Sequence, residues 1–166
     1  MKKLSIKQVH WLKGFHVLFA GIWVACGVVI LAFSLAAGDI QNGDQLYMLN
    51  YLVDLVDMKI LVPSAVLCLA TGLIYSLGTN WGFFKYRWLV FKWIVTVSII
   101  VLGTIFTGPW IEEMVGLSLE EGIGVVKNNH YLSIDRNQFV MGIMMNATLI
   151  ITVFVSVFKP WNKKKN

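Results

Sequence analysis

Charge is scarce in this sequence: only 14% of its 166 residues are Asp, Glu, Lys or Arg, against 57% that are hydrophobic. A water-soluble globule carries about a quarter charged residues, so that class is excluded. Polar tracts are also missing, which excludes a disordered chain. The two cysteines, Cys26 and Cys68, each lie inside an apolar run and cannot found a disulfide scaffold. Histidine is almost as rare, with His10, His16 and His130 only, and no phosphate loop, dinucleotide fingerprint or G-x-S-x-G elbow occurs. What remains is a mean hydropathy of +0.70, the balance of a membrane protein.

Crossing about 30 Å of hydrocarbon takes roughly 20 mostly apolar residues in a helix rising about 1.5 Å per residue. Four stretches meet this requirement, at about 12–37, 50–77, 86–108 and 138–158. Backbone polar groups in hydrocarbon must be satisfied within their own segment, so these runs read as helices. The expected fold is all-α: one four-helix transmembrane bundle, up-down-up-down, occupying residues 1–166 as a single domain. Pro63 falls inside the second stretch and predicts a kink there. Connections are expected at about 38–49, 78–85 and 109–137, edged by Gly38, Gly43, Gly78, Gly82, Gly108 and Pro109. Within the third, 111–126 reads as a short amphipathic helix on the surface. Lys2, Lys3, Lys7 and Lys13 before the first stretch imitate a secretory signal. Its apolar run exceeds the usual core of about 7–15 residues, so it reads as an uncleaved helix.

Basic residues set the expected sidedness. The four N-terminal lysines, then Lys85, Arg87 and Lys92, then Lys159, Lys163, Lys164 and Lys165 place eleven of fourteen cations on one side. Lys127 and Arg136 fall on the other, with Lys59 inside the second stretch. Both termini are therefore expected in the cytoplasm. The pI near 9.3 does not point to nucleic acid, because these cations sit beside Trp11, Trp81, Phe83, Phe84, Trp88 and Trp161, an interfacial anchor pattern that meets lipid headgroups. Membrane lipids are the expected partners, with a homo-oligomer or a larger membrane complex open.

Polar and small residues in a span turn toward neighbouring helices, and here they form four stripes. These are His16, Ala20, Trp23, Gly27 and Ser34; Asp54, Asp57, Ser64, Cys68, Thr71 and Tyr75; Lys92, Thr96, Gly103 and Thr107; and Gln138, Gly142, Asn146 and Ser156. Depth sorts them. Near the inner boundary His16, Tyr75 and Lys92, with Trp23 behind them, can receive a lipid, quinone or other anionic or hydrophobic ligand. There Lys92 serves as cation, Tyr75 as donor and His16 as proton exchanger. Near the outer boundary Asp54 and Asp57, at i and i+3, can form part of an ion path. In the middle Cys26, Cys68, Met144 and Met145 are the soft ligands that would select copper. A bis-histidine haem lacks a second histidine at the depth of His16, which leaves a ligand from another copy. Neither Glu112–Glu113 nor Glu120–Glu121 resembles an acid–base pair, since adjacent residues diverge on a helix. No enzymatic turnover is expected.

The first helix reads His16-x6-Trp23-x2-Cys26-Gly27, which is similar to the signature of the copper resistance protein D membrane domain and of related small bacterial membrane proteins. Thr71-Gly72-Leu73-Ile74-Tyr75, Trp81-Gly82-Phe83-Phe84 with Arg87-Trp88, and Lys92-Trp93 resemble the latter group. The resemblance implies a four-helix protein of the bacterial cytoplasmic membrane and brings no activity with it. Here Cys26 replaces the first glycine of that signature. Three functions fit the stripes: ligand binding at His16, proton- or metal-linked transport, and a structural role in a membrane complex.

Overall fold

The structure, a computed structural model, describes residues 3–79 and 82–161. Trp81, Lys2 and Lys163 to Lys165, which entered the reading of sidedness and anchors, lie outside the described residues. Four helices long and apolar enough to cross a membrane pack together: α1 (Ile6–Ala37), α2 (Gly43–Gly78), α3 (Arg87–Lys127) and α4 (Asn129–Phe158). The chain is a four-helix transmembrane bundle, and no strand occurs among the described residues.

The helix starts are built by side-chain caps. Ser5 accepts from the Gln8 amide at 3.4 Å while Gln8 Oε1 accepts from the Ser5 amide at 2.9 Å, a reciprocal capping box. Asn42 accepts from the Asp44 amide at 2.8 Å, and Asn128 from the His130 amide at 2.9 Å. Two of the helices run on through a proline. In α2 a wide π turn occupies Asp57–Leu61, where the Val62 amide donates to the Asp57 carbonyl, one residue before Pro63. In α3 the same device occupies Gly103–Thr107, with the Gly108 amide donating to the Gly103 carbonyl just before Pro109. Proline offers no N–H and crowds the carbonyl four residues back, and the wide turn re-pairs the backbone around that defect.

The Gly108–Pro109 pair therefore does not end the third helix, as the sequence reading expected. Helix continues over Gly108–Glu121, closes in a 3₁₀ turn at Gly122–Lys127, and gives way to α4 after Asn128 alone. The segment 111–126 is thus the far end of α3 and not a separate surface helix. At 41 residues α3 is about 60 Å long, roughly twice the hydrocarbon thickness, so part of it stands beyond the apolar layer.

Packing partners change along α2 and α3. The half of α2 after its π turn (Val62–Gly78) lies on α1, and the half of α3 before its π turn (Arg87–Leu102) lies on α4. The other halves, Gly43–Val56 and Gly108–Glu121, lie on each other. At one end, which carries Lys7, Lys13, Lys85, Arg87 and Lys159, the Leu4 amide donates to the Gly78 carbonyl at 3.1 Å and Phe91 meets Trp161. At the other, acidic end, Glu113 pairs with His130 at 2.7 Å and Glu121 accepts from Asn128 at 2.7 Å, so these glutamates tie α3 to the start of α4. An exposed pair of this kind contributes about 1 kcal/mol at most.

Side chains from all four helices meet in a central core of Trp23, Ala65, Cys68, Val95, Ile99 and Leu149. A second cluster at the acidic end gathers Leu46, Met114, Val125, Tyr131 and Ile134. The outward faces carry large apolar side chains, Ile94, Ile105, Met144 and Val157 among them, as a lipid-facing surface requires. Lipid tails are as apolar as leucine, so helix association rests on close fit more than on burial. Gly27 shows that fit. An added Cβ would overlap the carboxamide of Asn146 across the α1–α4 contact, with Asn146 Nδ2 at 2.6 Å.

Replacing Gly27 with Ala is expected to destabilise the bundle by about 1–3 kcal/mol, the usual cost of overpacking. Gly21→Ala, whose Cβ meets nothing within 4 Å, is expected to be neutral. Adding Asn146→Ala to Gly27→Ala should recover much of the loss. Thermal unfolding in detergent checks all three, and a Gly27→Ala protein as stable as Gly21→Ala would refute the packing argument.

Candidate functional site

His16 is the residue around which polar side chains of different helices gather at the lysine-rich end. It reaches from α1 onto α2, where Nδ1 lies 3.1 Å from the Cys68 carbonyl and 3.0 Å from Thr71 Oγ1. Cys68 Sγ is 3.8 Å from the same nitrogen. A carbonyl can only accept, and the Thr71 hydroxyl already donates to the Leu67 carbonyl at 2.7 Å and the Cys68 carbonyl at 2.9 Å. The imidazole proton is thereby assigned to Nδ1, and in the neutral ring Nε2 keeps its lone pair. Gly72 lies under the ring, where an added Cβ would stand in van der Waals contact with His16 Cε1 at 3.4 Å.

Lys92 enters from α3. It is half-buried and within electrostatic range of both His16 and Cys68. Among the described residues no carboxylate lies within ion-pair distance of it. Tyr75 follows Thr71 by one turn of α2 and is half-buried, with a hydroxyl that makes no hydrogen bond among the described residues. Trp23 lies two turns deeper on α1, only 5% exposed, and packs in the central core beside Cys68. The structure therefore joins His16, Cys68 and Thr71 directly, sets Lys92 within electrostatic range of them and Tyr75 one turn along α2 from Thr71, and uses Trp23 as packed floor.

The remaining expectations part company. Asp57 opens the π turn and is 6% exposed, whereas Asp54 is half-buried and off the packed face. That face runs Leu46, Asn50, Val53, Asp57, in steps of four, three and four. Asp57 and Cys26 are within electrostatic range of each other, and Asp54 adjoins them. Lys59 points outward. Cys68 sits against His16, while Cys26 is ten residues further along α1, about 15 Å by helical rise. Met144 is 65% exposed and Met145 lies against Gly103. The four soft ligands are thus dispersed over different levels and faces, and among the described residues no trio of His, Cys, Asp or Glu converges on a metal position. Thiolate–metal bonds of about 2.3 Å cannot span such separations.

Sequence reading missed a second polar cluster near the acidic end. Asn50, 4% exposed, donates from Nδ2 to Tyr131 Oη at 3.0 Å and to the Met114 carbonyl at 3.4 Å. Ser34 Oγ donates to the Ile30 carbonyl at 3.1 Å and lies 3.4 Å from Oε1 of the buried Gln138. The available signal was an asparagine at the edge of a span, four residues from Leu46 and three from Val53 on one helical face.

Compared with known protein families, with curated proteins and with solved structures, the chain matches none. The likeness to the copper resistance protein D membrane domain is carried by the first-helix segment His16-x6-Trp23-x2-Cys26-Gly27 alone.

Because the imidazole covers the Cys68 thiol, His16→Ala is expected to raise maleimide labelling of Cys68 in the folded protein several-fold and to leave Cys26 slow. Mass mapping of the labelled cysteines decides this. Equal labelling of Cys68 in wild type and His16→Ala would show that the histidine does not lie over the thiol.

Proposed function

We propose that this bundle is a ligand-binding protein of the bacterial cytoplasmic membrane, with both termini in the cytoplasm and no turnover of its own. Its ligand is an amphiphile with an anionic or carbonyl headgroup, such as a lipid or a quinone. The headgroup lies at the lysine-rich end against Lys92, Tyr75 and His16, and the hydrophobic tail runs along the bundle. The observation that carries this reading is Lys92: a half-buried ammonium with no carboxylate partner among the described residues, beside an imidazole anchored through Nδ1. A cation in an apolar setting costs several kcal/mol unless it is compensated, and an anionic or carbonyl oxygen compensates it. His16 Nε2 accepts a hydrogen bond from a protonated headgroup and Tyr75 donates one.

The packing of α2 and α3 supports the location. At the lysine-rich end each is committed to a different neighbour, α1 or α4, so a headgroup entering from the lipid does not have to part a tightly packed pair. The transport reading draws less support. Between Asp57 and Cys68 the inward positions are Leu61 and Ala65 of the apolar core and Ser64, whose hydroxyl is spent on the Leu61 carbonyl at 2.7 Å.

A short-chain quinone titrated into the purified protein is expected to quench its tryptophan fluorescence saturably, with Trp23, packed beside Cys68, reporting on the site. Native mass spectrometry from phosphatidylglycerol nanodiscs is expected to show retained anionic lipid. Lys92→Met should weaken whichever is bound by about tenfold or more, the loss of one charge-assisted contact of about 1.5–3 kcal/mol. If Lys92→Met binds both probes as wild type does, the proposal is wrong.

A further inference from the structure

Toward the acidic end, eighteen residues along α1 from His16 and hence about 27 Å away by helical rise, all four helices border one small cleft. Ser34 comes from α1, Asn50 from α2, Ile111 and Met114 from α3, and Asp135 and Gln138 from α4. Its volume is about 10 Å³, room for a single water-sized occupant.

The chemistry of the wall is unbalanced. Asn50 spends its amide hydrogens on Met114 and Tyr131, which leaves Oδ1 without a protein partner. Ser34 directs its hydroxyl hydrogen to the Ile30 carbonyl at 3.1 Å and, more weakly, to Gln138 Oε1 at 3.4 Å, and keeps its lone pairs. The Asp135 carboxylate is half-buried and forms no ion pair or hydrogen bond among the described residues. Gln138, 3% exposed, adds an amide whose oxygen already lies beside Ser34. Among the side chains lining the cleft, acceptor oxygens therefore outnumber free donors, with one NH₂ group, that of Gln138, against three acceptor side chains; the Tyr131 hydroxyl, which accepts from Asn50, does not line it. A buried acceptor without a donor is costly, and Asn50, 4% exposed, keeps its Oδ1 unpaired beside the cleft.

We infer that this cleft is a binding site for one small monovalent cation of sodium's size, held by Asp135, Asn50 Oδ1 and Ser34 Oγ, with Gln138 turning its oxygen inward to complete the shell. The single carboxylate matches a single positive charge. Calcium takes six to eight oxygen ligands and commonly several carboxylates, more than this wall supplies. Since the ligands come from three helices and the cleft is closed by the fourth, the ion ties the acidic end of the bundle together.

The test needs no variant to begin with. The purified full-length protein is unfolded by heat in sodium chloride and in N-methylglucamine chloride at equal ionic strength. Binding to the folded state predicts a midpoint that climbs with the logarithm of sodium concentration and stays flat in N-methylglucamine. Asp135→Asn, which keeps the shape, is expected to abolish the climb, and sodium-23 line broadening should vanish with it. Identical midpoints in the two salts would overturn the proposal, because the cleft then holds water. An undiminished sodium response in Asp135→Asn would overturn it too, by placing the ion elsewhere.

Discussion

An apolar medium leaves the backbone no water to bond with, and the architecture follows from that constraint. Two prolines lie inside otherwise continuous helices, and each removes an N–H where hydrocarbon cannot replace it. Both are preceded by a π turn of the same length, Asp57–Leu61 and Gly103–Thr107, that moves the last amide before the proline onto the carbonyl five residues back. The turns also govern the packing. Each marks the level at which α2 and α3 part: toward the acidic end they lie on each other while keeping contact with α1 and α4 respectively, and toward the lysine-rich end they do not.

The number of helices, their apolar character and the inward histidine were legible in the sequence because composition and period carry that information directly. Helix ends were less so. Gly108–Pro109 has the composition of a stop, and only the pairing of the Gly108 amide with Gly103 shows that the helix passes through it. Along α2 the expected inward residues Asp57, Ser64, Cys68 and Thr71 are buried, and Asp54, half-buried, adjoins Asp57 at the edge of that line.

Hydroxyl stripes were the least informative signal. Serine and threonine can bond across a bundle, yet here most turn back on their own helix. Ser64 donates to Leu61, Thr104 to Ile100, Thr148 to Met144, Thr152 to Thr148 and Ser156 to Thr152. A hydroxyl can satisfy itself within its own helix at i−3 or i−4. Imidazole and carboxamide groups have more valences to place and reach across: His16 to Cys68 and Thr71, Asn50 to Met114 and Tyr131. In a bundle of this kind it is the amides and the histidine, more than the count of polar residues, that mark where helices are joined.

The two polar clusters also differ in what they lack. At the acidic end the shortage is of donors, around a carboxylate. At the lysine-rich end it is of an acceptor near an ammonium, since Cys68 and Thr71 have turned their hydrogen-bonding capacity toward His16 and each other. Between them lies the packed core of Trp23, Ala65, Val95, Ile99 and Leu149, whose side chains carry no charge and, apart from the Trp23 indole N–H, no polar atom. Opposite deficits held apart by a packed core do not neutralise one another, which is why we propose a separate partner for each end: a cation beside Asp135, and an anionic or carbonyl oxygen beside Lys92.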